Sequence, residues 1–119
     1  MLAGLGIQSA VSETGHFVDQ CCSCWKFRAV VDVNAFERVY TQDHVPMVTA
    51  QNFQGIQRFV ASKVVGTADG TAPPFYRLAE LHFPSMEALQ AAAASGSAQQ
   101  VVAHAFSISS GGKPVVLVA

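Results

Sequence analysis

Charged side chains are scarce in this sequence. Asp, Glu, Lys and Arg together make up 13% of its 119 residues, whereas apolar residues make up 50%, and the mean hydropathy is +0.30. Soluble domains usually carry about 25% charged residues. A chain of this length forms one domain with one core. So few charges leave apolar surface that a second copy is expected to cover, as a homodimer.

Long hydrophobic runs and basic stripes are also absent. No window holds the roughly 18 apolar residues that a membrane-spanning helix needs, and the N-terminal stretch lacks the basic start of a secretory signal. We therefore expect a cytoplasmic protein with no membrane partner. Seven dispersed Lys and Arg residues and a net charge of -1 offer no basic surface to a phosphate backbone, so nucleic acid is not an expected partner.

Common catalytic and cofactor motifs are missing too, since there is no Gly-rich phosphate loop and no nucleophile elbow. Cys21, Cys22 and Cys24 fall in one run, QCCSCWKF. Cys21 and Cys24 form a C-x-x-C spacing, but a zinc site of that kind needs a second ligand pair, and a redox motif needs a helix directly after it. We therefore interpret the thiols as small packing side chains and expect neither a cofactor nor a metal.

Patterns typical of β-strands occur four times along the chain. These strands are predicted over residues 18–28, 56–65, 74–83 and 113–119. One helix is predicted from a cap at Asp32 to Pro46, where it should kink or end. A second is predicted from a cap at Ser85, with a further turn capped by Ser97. The order β-α-β-β-α-β predicts an α+β fold, ferredoxin-like with an antiparallel sheet.

The domain is predicted to span residues 18–119, preceded by an N-terminal arm or tail over residues 1–17. The second predicted strand is apolar on both parities, with Phe59 on one side and Val60 on the other. Helices cover only one face of such a sheet. The open face is therefore expected to meet the same face of a second copy.

A histidine and a proline end the amphipathic stretch FERVYTQDHVPMV. Phe36, Tyr40, His44 and Met47 fall within about 80° on a helical wheel, so His44 belongs to the apolar stripe. Because imidazole exchanges protons near neutrality, His44 is a candidate general acid/base and Tyr40 its hydrogen-bonding partner. The alternative is structural: His44 bonds backbone carbonyls, its charge is favoured by the helix end, and Tyr40 is a core residue with a satisfied hydroxyl.

Five aromatic side chains are candidates to line a ligand cavity, because such cavities are mostly apolar. These are Trp25, Phe36, Phe59, Tyr76 and Phe106. The alternative for most of them is ordinary core packing. Glu80 and His82 share one predicted strand face and, with Tyr76, would form a polar cluster. No third metal ligand is evident beside this pair, so the row is expected to face the dimer partner or solvent.

Four stretches, in order along the chain, share their pattern with a known family. They are DVNAFERVYTQDHVPM, GIQRFVASKVVGTADGTAPPFYRLAELHF, SMEALQAAAASGSAQQVVAHA and VVLVA. Together the chain resembles the EthD family, named for ethyl tert-butyl ether degradation, over roughly residues 18–119. His44 matches the family histidine. Asp43 and His104 depart from the pattern, since a neutral polar residue and an acidic residue are more usual at these positions.

The resemblance implies a dimeric α+β barrel, in which two ferredoxin-like subunits press their open sheet faces together. Relatives of this barrel include cofactor-free monooxygenases and cyclases of polyketide pathways, and muconolactone isomerases. Fold membership alone does not assign a reaction.

Three functional hypotheses follow from the residues and the resemblance. The first is a small dimeric EthD-like protein that binds a hydrophobic or aromatic small molecule as an accessory in a degradative or biosynthetic pathway. The second is a cofactor-independent isomerase, cyclase or monooxygenase that uses His44 as general acid/base. The third is a structural module whose whole role is to dimerise.

Overall fold

The computed structural model describes residues 21–119. Its elements, in chain order, are β1 (Cys21–Arg28), α1 (Val33–Val39), β2 (Arg58–Lys63), β3 (Phe75–Phe83), α2 (Met86–Ala93), α3 (Gly96–Ser107) and β4 (Val115–Val118). All strand pairs are antiparallel, in the order β2-β3-β1-β4. This sheet with its helices confirms the predicted ferredoxin-like α+β fold. The predicted N-terminal arm lies outside the described residues.

None of the helices within residues 21–119 combines the length and the apolar character needed to cross a membrane.

The segment that carries the candidate histidine changes pitch along its length. Asp32 begins α1 by accepting a backbone N–H bond at 3.0 Å, as predicted. The helix leaves α geometry at Tyr40, ahead of Pro46, because the backbone N–H of Val45 donates to the carbonyl of Tyr40 in a π turn. A 3-10 turn that contains Pro46 then ends the segment. The wider turn leaves both Tyr40 and His44 buried.

The helices between β3 and β4 are each capped by a serine. Ser85 caps α2 as predicted, with its hydroxyl accepting a backbone bond at 3.1 Å. The predicted cap of α3 at Ser97 is wrong, because the helix already begins at Gly96 and Ser95 accepts the capping bond at 3.1 Å. An N-cap needs extended backbone, which Ser95 has, with φ -69° and ψ 150°.

The core lies between the helices and one face of the sheet. The buried strand residues all come from alternate positions, which share one face; they are Cys21, Phe27, Ala79, Leu81 and Phe83. Helical residues pack against them, among them Phe36, Tyr40, Leu89, Val101 and Ala105. The largest fully buried side chains are those of Phe27, Tyr40 and Phe83, so the largest side chains of this layer are aromatic rings.

A β-bulge interrupts the pairing of β1 with β3. Phe27 pairs with Arg77, whereas the next residue, Arg28, pairs with Phe75. Tyr76 is therefore the extra residue of the bulge. Strict alternation of side chains between the two sheet faces ends at this point.

The bulge moves two aromatic rings to faces opposite to those predicted. Tyr76 turns to the helical side, where its ring meets Phe36 edge-on at a centroid distance of 5.8 Å. Phe75 turns to the open side, where the ammonium group of Lys26 lies 5.6 Å from its ring centroid. The predicted polar cluster of Tyr76 with Glu80 and His82 is therefore wrong, although Glu80 and His82 do lie together.

No helix of residues 21–119 packs against the second sheet face. This open face presents the alternate positions of the central strands, none of them fully buried; they are Cys22, Cys24, Lys26, Leu78, Glu80 and His82. On the edge strand, Leu117 is 48% exposed. The open face thus combines apolar side chains with thiols and one carboxylate–imidazole pair.

Candidate functional site

Two histidines from distant parts of the chain meet at the end of the π turn. The Nδ1 atoms of His44 and His104 lie 3.0 Å apart, and the two ring planes differ by 13°. His44 is 6% exposed, whereas His104, on α3, is half-buried. Sequence reasoning omitted His104 from the site, because only the packing of α3 brings it to His44. The one hint in the sequence was that His104 stands where the family more often has an acidic residue.

Burial and the neighbouring imidazole keep His44 neutral. Desolvation is the larger cause and His104 the smaller, and they lower the pKa of His44 from 6.5 to about 4. Residues 21–119 do not show the structural alternative, in which the ring bonds backbone carbonyls and the helix end favours its charge. The hydrogen-bond partner is His104, and the cost of desolvating a charge exceeds the benefit from the helix dipole.

The contact between the two Nδ1 atoms fixes how protons are arranged on the pair. Two neutral imidazoles can share this bond only if one ring carries its hydrogen on Nδ1 and the other on Nε2. One ring then keeps a free Nε2 lone pair and the other a free Nε2–H. The pair therefore offers one acceptor and one donor, and these roles exchange only when a proton moves between the two Nδ1 atoms while one Nε2 gains a proton and the other loses one.

The Tyr40 hydroxyl is buried and has no hydrogen-bond partner within residues 21–119. Its pKa is raised to about 12, chiefly by burial, so the phenol stays protonated and remains a donor. The Arg77 guanidinium lies 5.0 Å from the Tyr40 ring centroid and is held there by two bonds to Glu37, at 2.9 and 2.6 Å. The alternative, a core tyrosine whose hydroxyl is hydrogen-bonded, is therefore not observed within residues 21–119.

Tyr40 and His44 both line a narrow apolar cavity that has room for about one water molecule. Its walls are formed by Trp25, Phe27, Tyr40, His44, Val48, Phe53, Phe59, Ala79, Leu81, Val101, Val102 and Ala105. The indole N–H of Trp25 already bonds a serine hydroxyl at 3.1 Å. The polar groups left to a ligand are therefore those of Tyr40 and His44.

Only two of the five predicted ligand-binding aromatics line the cavity. Trp25 and Phe59 line the cavity. Phe36 and Tyr76 pack against each other instead, and neither contributes to its wall. Phe106 also lies outside the wall, 43% exposed and edge-on to Trp25 at 6.0 Å.

Sequence reasoning did not propose Phe27 and Phe53, which also line the cavity. Phe53 lies between the π-turn segment and β2, outside any regular helix or strand. No periodic hydrophobic pattern therefore identifies Phe53 as a lining residue from the sequence.

A second cluster of polar side chains lies on the open face. The ligating atoms of Cys22, Glu80 and His82 all lie within 4.8 Å of one another. The reasoning that the Glu80–His82 pair lacks a third ligand is overturned, because the strand register places Cys22 directly opposite His82. The thiol of Cys24 lies 3.1 Å from that of Cys22.

The strand order and the helical layer define a ferredoxin-like α+β protein in which buried His44 pairs with half-buried His104. Residues 29–105 match the family model of the EthD domain. A relative from Rhodococcus erythropolis, described as an uncharacterized 11.0 kDa protein in the thcB-thcC intergenic region, is 37% identical over 81 residues, which are 68% of this chain and 76% of that protein. The chain belongs to the EthD family.

Solved structures share this fold. An EthD family protein from Bacillus halodurans superposes with a TM-score of 0.74 at 19% identity, over 84% of this chain and 96% of that one. A dimeric ferredoxin-like protein from Jannaschia gives 0.66 at 12% identity, over 84% and 97%. SnoaB, a cofactor-independent oxygenase from Streptomyces nogalater, gives 0.53 at 14% identity, over 85% and 89%. At these identities the similarity shows a common fold only.

The lowered pKa of His44 predicts that stability falls on acidification. The unfolded chain takes up a proton near pH 6.5, whereas the folded chain does so only near pH 4, so unfolding binds protons between these values. The free energy of unfolding should drop by about 2 kcal/mol from pH 7 to pH 5 through this one group. Urea unfolding at constant ionic strength and protein concentration measures it. His44→Gln should remove most of the drop, and an equal drop in the variant would contradict the assignment.

Proposed function

We propose that this protein binds a neutral hydrophobic or aromatic small molecule that carries a hydrogen-bond acceptor, as an accessory in a degradative or biosynthetic pathway. The observation that carries this proposal is Tyr40, which lines an apolar cavity and whose buried hydroxyl has no hydrogen-bond partner within residues 21–119. Leaving a buried donor unsatisfied costs roughly 1–3 kcal/mol. A carbonyl or ether oxygen of a ligand would accept that hydrogen bond and recover part of this cost.

The chemistry of the walls defines the class of ligand. The lining contains no Asp, Glu, Lys or Arg, and the low pKa of His44 keeps its imidazole neutral. A charged ligand would be desolvated there without a counter-charge. Trp25 and Phe59 offer ring faces to an apolar body. Because the space is narrow, we expect these side chains to move apart when a ring enters.

Acetophenone and ethylbenzene form a matched pair of probes for the Tyr40 donor, because they differ chiefly in the carbonyl oxygen. We expect wild-type protein to bind acetophenone more tightly by about 2- to 10-fold, the value of one net hydrogen bond. Calorimetric titration measures both affinities. Tyr40→Phe should abolish the preference.

Tyr76→Phe is the control, because it removes the same atom from a tyrosine that does not line the cavity. It should keep the preference for acetophenone. If neither probe binds, or if Tyr40→Phe still prefers acetophenone, the proposed ligand site is wrong.

A second candidate function is cofactor-independent catalysis, with His44 as general acid/base. The pairing with half-buried His104 supports it, because a proton can pass from the cavity towards solvent through the two rings. The fold is also that of a cofactor-independent oxygenase. However, a base whose conjugate acid has a pKa of about 4 is weak at neutral pH. This is why we place binding first.

Hydrogen–deuterium exchange at the acetophenone methyl group tests the catalytic candidate. A general base in the cavity would break a C–H bond next to the carbonyl, and solvent would return a deuteron to the same carbon. NMR in D₂O should then show exchange with wild-type protein and a drop of about 10²-fold or more with His44→Gln. Exchange at the uncatalysed rate in both proteins would leave binding as the function.

We infer that two copies of the chain associate through the open sheet face. The low charge content and the absence of a covering helix within residues 21–119 support this. Two proteins of similar fold are described as dimeric. If the cavity binds none of the probes, this association alone becomes the favoured function. The expected cytoplasmic location stays a prediction.

A charge placed on the open face should separate the two copies. Leu78 lies on this face of the central strand β3, so Leu78→Glu would bury two carboxylates in the interface and yield monomer. Val65→Glu is the matched control, since Val65 is 94% exposed and lies just beyond β2. Native mass spectrometry at micromolar concentration should show dimer for the wild type and the control. A monomeric wild type would contradict the inference.

A further inference from the structure

The open face brings four metal-binding side chains together across two strands. In the β1–β3 register, Cys22 lies opposite His82 and Cys24 lies opposite Glu80. Alternate positions of a strand share a face, so the four side chains form the corners of one square. The Sγ atom of Cys22, a carboxylate oxygen of Glu80 and a ring nitrogen of His82 all lie within 4.8 Å of one another.

We propose that Cys22, Glu80 and His82 bind a zinc ion on the open face, with Cys24 as the fourth ligand. Thiolate, imidazole and carboxylate are the ligands that zinc takes in proteins, at about 2.0–2.3 Å in tetrahedral geometry. Ligand atoms around such an ion lie about 3.3–3.8 Å apart. Small side-chain rotations would bring the ligand atoms of Cys22, Glu80 and His82 to this spacing, because these atoms already lie within 4.8 Å of one another.

Two short contacts show where these rotations occur. His82 Nε2 lies 2.8 Å from Glu80 Oε1, and the two thiols are 3.1 Å apart. Each pair would open by less than about 1 Å to admit an ion at its centre. In the single chain all four residues are half-buried, so an ion can enter from the open face before the two proposed copies associate over it.

The Cys22 thiol keeps its proton until a cation binds. Burial, the Cys24 thiol and the Glu80 carboxylate raise the pKa of Cys22, so it remains a thiol while no cation is near. A zinc ion would displace that proton, as metal binding to cysteine generally does. The cluster then joins up to three anionic ligands and one imidazole around a divalent charge.

The alternative is a local network without metal, in which Glu80 bonds His82 and the thiols pack as small side chains. That network explains the Glu80–His82 contact but gives no reason for the two thiols beside it. The cluster is also separate from the cavity, because its side chains lie on the opposite face of the sheet. Zinc binding therefore does not depend on the ligand site or its outcome.

Zinc content of the tag-free, reduced full chain tests the proposal. After incubation with zinc chloride and dialysis against metal-free buffer, elemental analysis should find about one zinc per chain. Cys22→Ser and His82→Gln should each weaken binding more than the 10- to 100-fold typical of lost outer-shell partners. Cys21→Ala is the control, because its thiol lies on the helical face, and it should keep its zinc.

Cobalt substitution reports the ligands directly. Co²⁺ added to the wild type should give a sulfur-to-cobalt charge-transfer band together with the visible bands of tetrahedral coordination. Cys24→Ser should reduce the charge-transfer band by about half, because one of two thiolates is lost. Thermal unfolding followed by circular dichroism checks that each variant folds. If one of the ligand variants does not fold, Glu80→Gln takes its place in the test. Equal zinc content in Cys22→Ser and Cys21→Ala, or none above background in the wild type, would overturn the proposal.

Discussion

The burial of the His44 imidazole in an aromatic layer is the constraint on which the candidate site depends. The ring lies within 6.0 Å of Phe27 and 5.8 Å of Tyr40, measured between centroids, and its polar partner within residues 21–119 is His104. An unpaired imidazole at this depth would cost several kcal/mol. α3 therefore has to present His104 at the end of the π turn. The same packing buries the Tyr40 hydroxyl, which has no hydrogen-bond partner within residues 21–119.

The sheet separates two kinds of chemistry. Its helical face carries the neutral histidine pair, the Tyr40 donor and an apolar cavity, which suits an uncharged ligand. Its open face carries the thiols, Glu80 and His82 at alternate positions of the same strands. Since neighbouring residues of a strand point in opposite directions, one short sequence such as QCCSCWKF supplies both faces. A substitution at Cys21 and one at Cys22 therefore test different properties of the protein.

Periodicity was sufficient to predict the order of strands and helices along the chain, the Asp32 cap and the buried stripe of Phe36, Tyr40 and His44, because these depend on local geometry. It was not sufficient where distant segments meet. His104 is 60 positions from His44, and the third ligand beside Glu80 depends on the β1–β3 register. The bulge at Tyr76 also defeats simple alternation, since one extra residue reverses the face of each side chain beyond it.

The most direct measurement of the buried pair is a histidine-resolved NMR titration with ¹⁵N-labelled imidazoles. The structure predicts that His44 stays neutral from pH 7 down to about pH 4. It also predicts that one ring of the pair holds its hydrogen on Nδ1 and the other on Nε2. His104→Gln should change the tautomer balance of His44 without changing that of His82. A His44 that titrates near pH 6.5, with no response to His104→Gln, would contradict the buried pair and the cavity site built on it.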